Sequence, residues 1–317
     1  NNDAVYTLAR VRQNLDPFGA AGMRRRLKAQ AAVAQAETGV RERELSRQVC
    51  ADYINDYAAR LRYDNMLRMD SLYADFSHVA KLRYDAQDIS LLEYQTALNR
   101  SQQVSLALRE AAKDLQTAHL NLSRWLSADT VYAASDMDEH LDASRLIGQA
   151  EHPTTVLGRQ LMGLSEAAVG EAKALRLPKF FVEAGTQRIG SRNGYYAWQV
   201  GLSIPIAVGS GKATVKAARI AAEQAQANAE DAARQLANRR KTLMADYGKY
   251  RESTDYYRQH ALPLAREQRR MAAMSYKAGS VGYLDFIQAV DDALSTEMSY
   301  VETLTKLLES KYNLIYY

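Results

Sequence analysis

Two acids, Glu93 and Asp285, stand at matching places in "YDAQDISLLEYQTA" and "YKAGSVGYLDFIQA", each just after a break between long helix-like stretches. A carboxylate in the first turn of a helix favours the positive end of the macrodipole, which is one role for both. Carboxylates gathered around a narrow passage would instead attract cations and repel one another. Met66 with Met69, and Met271 with Met274, place thioethers at i, i+3 on a helical face. That spacing suits a soft Cu(I) ion, but adaptable core packing is the expected role. His78, His119, His140, His152 and His260 lack ligand spacing, and ordinary surface or core roles are expected. H-E-x-x-H, G-x-S-x-G, a Walker loop and C-x-x-C are missing from the sequence. No catalytic residue, metal ligand or cofactor is therefore expected, and the chain reads as non-enzymatic.

Composition bounds the class without naming a function. The 317 residues, 47% hydrophobic and 25% charged, suffice for one large domain or two with a buried core. Forty-one basic and 37 acidic residues are interspersed along the chain, which speaks against a nucleic-acid tail or a polybasic membrane patch. Cys50 is the single cysteine, so there is no intrachain disulfide or cysteine zinc cluster, and a small buried hydrophobe is expected. The opening "NNDAVYTLARVRQNLDPFGAAG" lacks the charged and apolar regions of a signal peptide, and no run approaches 18 apolar residues. The protein is then soluble, or lacks its leader, or enters a membrane as a barrel.

The elements that must position the two acids are long helices. Gly22 to about Tyr84 is free of proline and rich in Ala, Arg, Gln, Glu and Leu, a helix on the order of 90 Å. Then Tyr94, Leu98, Ser101, Ser105, Leu108, Ala112, Leu115, Ala118, Leu122 and Trp125 recur at spacings of three and four, a coiled-coil seam. The pattern returns from Lys212 to about Tyr276, interrupted by Gly248 and Pro263, with a second seam from Ile287 to Ile315. At an offset of 192, Tyr84 meets Tyr276, Leu92 meets Leu284, Glu93 meets Asp285 and Tyr94 meets Phe286; upstream, "ADY" meets "ADY" at an offset of 194. This is an internal duplication, with residues 1–134 as an N-terminally incomplete first repeat and 135–317 as the second.

Between the halves, Ser127 to Glu151 reads as loop or short helix and Thr154 to Leu175 as a shorter helix. "LPKFFVEAGTQRIGSRNGYYAWQVGLSIPIAVGSG" reads as a β-hairpin turned by "GSRNG". Its second strand puts Tyr196, Trp198, Val200, Leu202 and Ile204 on one face and small or polar residues on the other. Such alternation serves a soluble sheet on a core or a transmembrane barrel strand with lipid outside. "VYTLARVRQNLDPFGAAG" is a strand-like counterpart that also passes a proline and glycines into a long helix.

These features resemble the TolC-type outer-membrane efflux proteins. The likeness rests on the duplicated strand and helix-pair unit, on "GLSIPIAVGSGKATVKAARIAAEQAQA", and on "YKAGSVGYLDFIQAVDDALSTEMSYVETLTKLLESKYNLI", and it spans essentially the whole chain. It implies a mainly α fold with a small β part: a homotrimer whose helical hairpins form a periplasmic α-barrel and whose strands join an outer-membrane β-barrel. It implies a passive exit duct in a Gram-negative outer membrane, working with a periplasmic adaptor and an inner-membrane pump, of the RND type in some systems, and no nucleic acid. The segments "IPIAVGSGKATVKAARIA" and "QNLDPFG" further resemble ducts associated with heavy-metal efflux pumps, so metal cations join small solutes as expected cargo. The chain lacks the family's leading helices, first strand and any signal or lipidated cysteine, and is expected to be a fragment, a processed form or the tail of a pump fusion.

By the same resemblance, Asp285 and Glu93 become a ring of six carboxylates at the constricted end of the tunnel. Gln288, one turn on, falls where some relatives carry a second acid. Adaptor contact is implied for Ala278, Gly279 and Ser280 and, opposite, for Gln87, Asp88 and Ile89, with Gln87 in place of a glycine. The Tyr196 to Ile204 face would meet lipid. The alternative is a soluble elongated coiled-coil scaffold or adaptor without channel activity, in which that face meets protein.

Overall fold

The computed structural model describes residues 6–126, 132–135, 137, 151–189, 192–205 and 209–317. Its elements are β1 (Tyr6–Leu15), α1 (Pro17–Asp85), α2 (Leu91–Ser123), α3 (Pro153–Ala174), β2 (Lys179–Ile189), β3 (Arg192–Ser203), α4 (Ser210–Tyr256), a π turn (Tyr257–Ala261), α5 (Leu262–Lys277) and α6 (Tyr283–Tyr316). Most of the expected loop from Ser127 to Glu151, with His140, lies outside the described residues, as do Gly190 and Ser191 of "GSRNG". The chain forms two compact units, Asn1–Glu42 with Ala150–Ala237, and Arg43–Gln149 with Asn238–Tyr317. Each unit thus draws on both halves of the sequence.

In the first unit the strands form an antiparallel sheet in the order β1-β2-β3. Val11 opposes Ala184, which opposes Trp198; Leu15 opposes Phe180, which opposes Leu202. Period-two alternation therefore aligns one apolar face across all three strands, and puts Arg10, Arg12, Glu183 and Gln199 on the other. Gly201 lies opposite Phe181 on that second face, where a Cβ would come within 2.2 Å of the ring. Helix α1 begins at Pro17, five residues before the expected Gly22. Proline is pre-set for a first helical position, and the Asp16 carboxylate accepts from the Gly19 amide at 2.7 Å, so the chain turns into helix as soon as the strand ends. Gly22 is a packing glycine inside it: a Cβ there would sit 3.0 Å from Glu171 Cα of α3. Arg26 and Glu171 pair across the same crossing at 2.6 Å.

In the second unit the described core comprises two larger clusters and a small one of Leu243 with Leu314. One of the larger joins Met69, Tyr73, Phe76, Ala97, Tyr276, Phe286 and Val290, and the other joins Ile54, Tyr57, Leu122, Leu304 and Leu308. The α6 seam buries Val290, Val301, Leu304 and Leu308 as its spacing predicts. The α2 seam holds in most of its length: Leu122 is buried and Tyr94, Ser101, Ser105, Leu108, Leu115, Ala118 and Trp125 are half-buried, but Leu98 and Ala112 are exposed and Ala97 and Val104, outside the expected seam, are buried. Small Ala97 lets α2 approach the aromatic cluster closely, which turns Leu98, about 100° round the helix, outward. Gly248 does not interrupt α4; the break is the π turn just ahead of Pro263. Proline has no amide to donate and crowds the carbonyl four residues back, Gln259, so the helix widens there.

Of the methionines, Met69 is fully buried and packs as expected, but Met271 and Met274 are 49% and 56% exposed and do not. Cys50 is half-buried, and burial pushes its thiol up to about 11. No helix among the described residues is long and apolar enough to cross a membrane.

Candidate functional site

The turns that carry the acids are built alike. Ala86, Gln87 and Asp88 donate to the carbonyls of Leu82, Tyr84 and Arg83; 192 residues on, Ala278, Gly279 and Ser280 donate to Met274, Tyr276 and Ser275. This is the Schellman pattern, which closes a helix through one left-handed residue. That residue is Gly279 at φ 73° in one turn and Gln87 at φ 61° in the other. A Cβ on Gly279 would meet nothing within 4 Å, so glycine serves the backbone angle there and not a tight space.

After each turn a new helix starts with its acid in the first turn, Glu93 in α2 and Asp285 in α6. Ser90 caps α2, its hydroxyl accepting from the Glu93 amide at 3.2 Å, while Gly282 caps α6 without a side chain. Glu93 is half-buried; Asp285 and Gln288 are exposed. Ala278, Gly279, Ser280, Gln87 and Asp88 are exposed and Ile89 is half-buried. Residues not singled out from sequence join them: Leu92 and Leu284, at matching positions, are 74% and 77% exposed. Their alignment was the available signal.

Beneath the turns the two helix pairs are tied together. Asp291 of α6 accepts two hydrogen bonds from the Arg100 guanidinium of α2, at 2.7 and 2.8 Å, and one from the Tyr73 hydroxyl of α1 at 2.8 Å. Burial, reinforced by the Asp291 charge, pushes the Tyr73 hydroxyl's ionisation upward, so it stays a donor. Phe76 of α1 stacks on Phe286 with ring centroids 4.3 Å apart and lies 4.5 Å from Tyr276. Tyr73, Phe76, Arg100 and Asp291 were not singled out from sequence, because their partners lie about 190 to 220 positions away along the chain. Among the histidines, His119 contacts the fully buried Asp56, whose other oxygen accepts from the Ala134 amide at 2.7 Å. That pairing is structural, and no group of three or more His, Cys, Asp or Glu among the described residues is placed to hold a metal ion.

The second candidate surface is the apolar sheet face. Tyr196, Trp198 and Val200 are 83%, 80% and 64% exposed, with Leu202 and Ile204 beside them; Ile204 lies one residue beyond the end of β3. Val11, Phe180 and Val182 extend the face across β2 and β1, all exposed.

Residues 159–316 match the family model described as outer membrane efflux protein. No curated protein sequence matches the chain. Among solved structures, a membrane protein from Pseudomonas aeruginosa is 17% identical with a TM-score of 0.82, the match covering 99% of this chain and 83% of that one. CusC, described as forming a transmembrane channel, is 16% identical with a TM-score of 0.81, covering 98% of this chain and 76% of that one. The outer membrane protein VceC of Vibrio cholerae is 14% identical with a TM-score of 0.79, covering 99% and 85%.

Proposed function

We propose, on the match of residues 159–316 to the outer membrane efflux protein family model, that the chain is one protomer of a passive exit duct. The outer membrane is its compartment, with the helices extending into the periplasm. The duct is a homotrimer that receives cargo, small solutes or metal cations, from an inner-membrane pump through a periplasmic adaptor. It performs no chemistry of its own. The observation that carries this reading is the sheet face of Tyr196, Trp198 and Val200, large and apolar and turned outward. Left in water, such a face is unfavourable at about 25 cal/mol per Å² of apolar surface; against lipid it is at home.

Each turn has a role in this reading. Glu93 and Asp285, repeated by threefold symmetry, form the carboxylate ring at the tunnel's constriction, with Gln288 adding a neutral polar layer. Ala278, Gly279, Ser280, Gln87, Asp88 and Ile89 meet the adaptor, and Leu92 and Leu284 give that contact an apolar anchor. The chain is read as two repeats, 1–134 and 135–317, and the shared hydrogen bonding of the turns supports that division.

Conductance in a planar bilayer tests the ring. The Glu93→Ala, Asp285→Ala double variant is expected to lose several-fold in cation-over-anion selectivity, in keeping with charged-ring filters. Unchanged selectivity would remove the ring and leave the fold untouched. A detergent-free, monodisperse monomer by mass measurement would remove the duct itself.

A further inference from the structure

At one end of the sheet, where Leu15 pairs with Phe180 and Lys179 with Ser203, the first unit gathers three helix ends. Helix α1 starts there, α3 stops and α4 starts. They are in contact: Gly22 of α1 lies against Ala174 of α3, and a Cβ on Gly211 of α4 would come 3.5 Å from the Arg176 side chain just beyond α3. Segments 16–28, 171–179 and 209–219 together carry ten basic residues and two acidic ones. Both acids are already engaged, Asp16 with Lys179 at 2.9 Å and Glu171 with Arg26 at 2.6 Å. Arg24, Arg25, Lys28, Arg176, Lys212 and Lys216 are exposed, and no carboxylate among the described residues pairs with them. The N-terminal ends of α1 and α4 add positive potential, and the C-terminal end of α3 offsets part of it. Charges that look interspersed along the sequence are thus gathered by folding into one basic collar.

The collar borders the apolar face. Leu15 and Phe18 are each 45% exposed, Leu202 51% and Ile204 59%, all at the sheet end from which the helices leave. An apolar band ending in clustered Lys and Arg matches the boundary between hydrocarbon and anionic headgroups. We propose that this collar binds anionic phospholipid headgroups of the leaflet on the helix side of the bilayer, the guanidinium and ammonium groups donating to phosphodiester oxygens. The binding fixes how deeply the strands sit in the membrane. It rests on the duct reading above and adds to it a lipid class and a set of residues.

The test uses the full chain reconstituted in vesicles of phosphatidylcholine alone or mixed with phosphatidylglycerol, then extracted gently and assayed for retained lipid by mass spectrometry. Wild-type protein is expected to retain phosphatidylglycerol above its bulk ratio and to lose that enrichment at high salt. The variant R24Q/R25Q/K28Q/K212Q/K216Q is expected to lose roughly fivefold in enrichment per charge removed until the bulk ratio is reached. R109Q/K113Q, two exposed positions on α2, is the control and is expected to behave as wild type. Enrichment that survives in the collar variant, or falls equally in the control, overturns the proposal. Insertion into phosphatidylcholine is scored separately. Normal insertion without enrichment overturns the collar alone, whereas failure to enter either vesicle removes the duct reading beneath it.

Discussion

The two helix turns share one backbone path and stabilise it by different chemistry. In the first, an Arg83–Asp88 ion pair at 2.6 Å spans the turn and a Ser90 hydroxyl caps the next helix. In the second, the equivalent residues are Ser275 and Ser280, joined by a hydroxyl-to-carbonyl hydrogen bond of 3.0 Å, and the cap is a bare glycine. Each turn also carries an aromatic pair at matching positions. Tyr84 and Tyr94 stack 5.5 Å apart and stay half-buried, whereas Tyr276 and Phe286 lie 5.2 Å apart and are buried beneath Phe76. The first turn leans on polar clips exposed to water, the second on apolar burial. A Schellman turn therefore specifies geometry and leaves open what holds it.

Truncating the buried aromatic pair of the second turn should separate the turns most. Phe286→Ala is expected to cost about 3–5 kcal/mol locally, read as lost hydrogen-exchange protection in α5 and α6 near the turn. Tyr94→Ala at the matching, half-buried place should cost less than half of that, and equal losses would erase the distinction. Exchanging the left-handed residues comes next. Gly279→Gln should destabilise its turn by about 1–2 kcal/mol, the penalty of a side chain in that backbone region, and Gln87→Gly should stabilise the other by a smaller amount. The same exchange measurement at amides 86–90 and 278–282 reads both, and a change of equal sign in both turns would contradict the assignment. Smallest is the cap. Ser90→Ala should loosen the start of α2 by about 1 kcal/mol, and no loss would mean the hydroxyl bond does not form in solution.

Much of this was legible in the sequence. Gly279 and Gly282, the matching acids and the alternation from Tyr196 to Leu202 are local signals, and local backbone and pleat geometry answers to them directly. Gln87 was read as a departure from a glycine, yet it takes the left-handed angle itself, because the Schellman hydrogen bonds outweigh a penalty of about 1–2 kcal/mol. The α2 seam failed at Leu98 for another reason. Spacings of three and four mark an apolar stripe, but Leu98 lies outside while Ala97 lies inside, since the size of Phe286 and Phe76 across the gap decides which side chain fits. The Tyr73, Arg100 and Asp291 cluster had no local pattern to find; it exists only once two hairpins are folded together. The basic collar was hidden in the same way, spread over three segments whose charges average out along the chain.

The π turn at Tyr257–Ala261 has a consequence for how the two halves keep step. Between "ADY" and the tip tyrosine, the second half has two residues fewer than the first, Ala245 to Tyr276 against Ala51 to Tyr84. At about 100° per residue, that shortfall alone removes about 200° of rotation and would aim the tip almost backwards. A π turn absorbs one more residue without advancing the spiral, about 100° again. The combined loss of about 300° is nearly one whole revolution, so the helix arrives one coil shorter with its tip in roughly its original azimuth. The widened turn acts as a phase compensator: it lets a helical strut change length and still point Tyr276 at its partners.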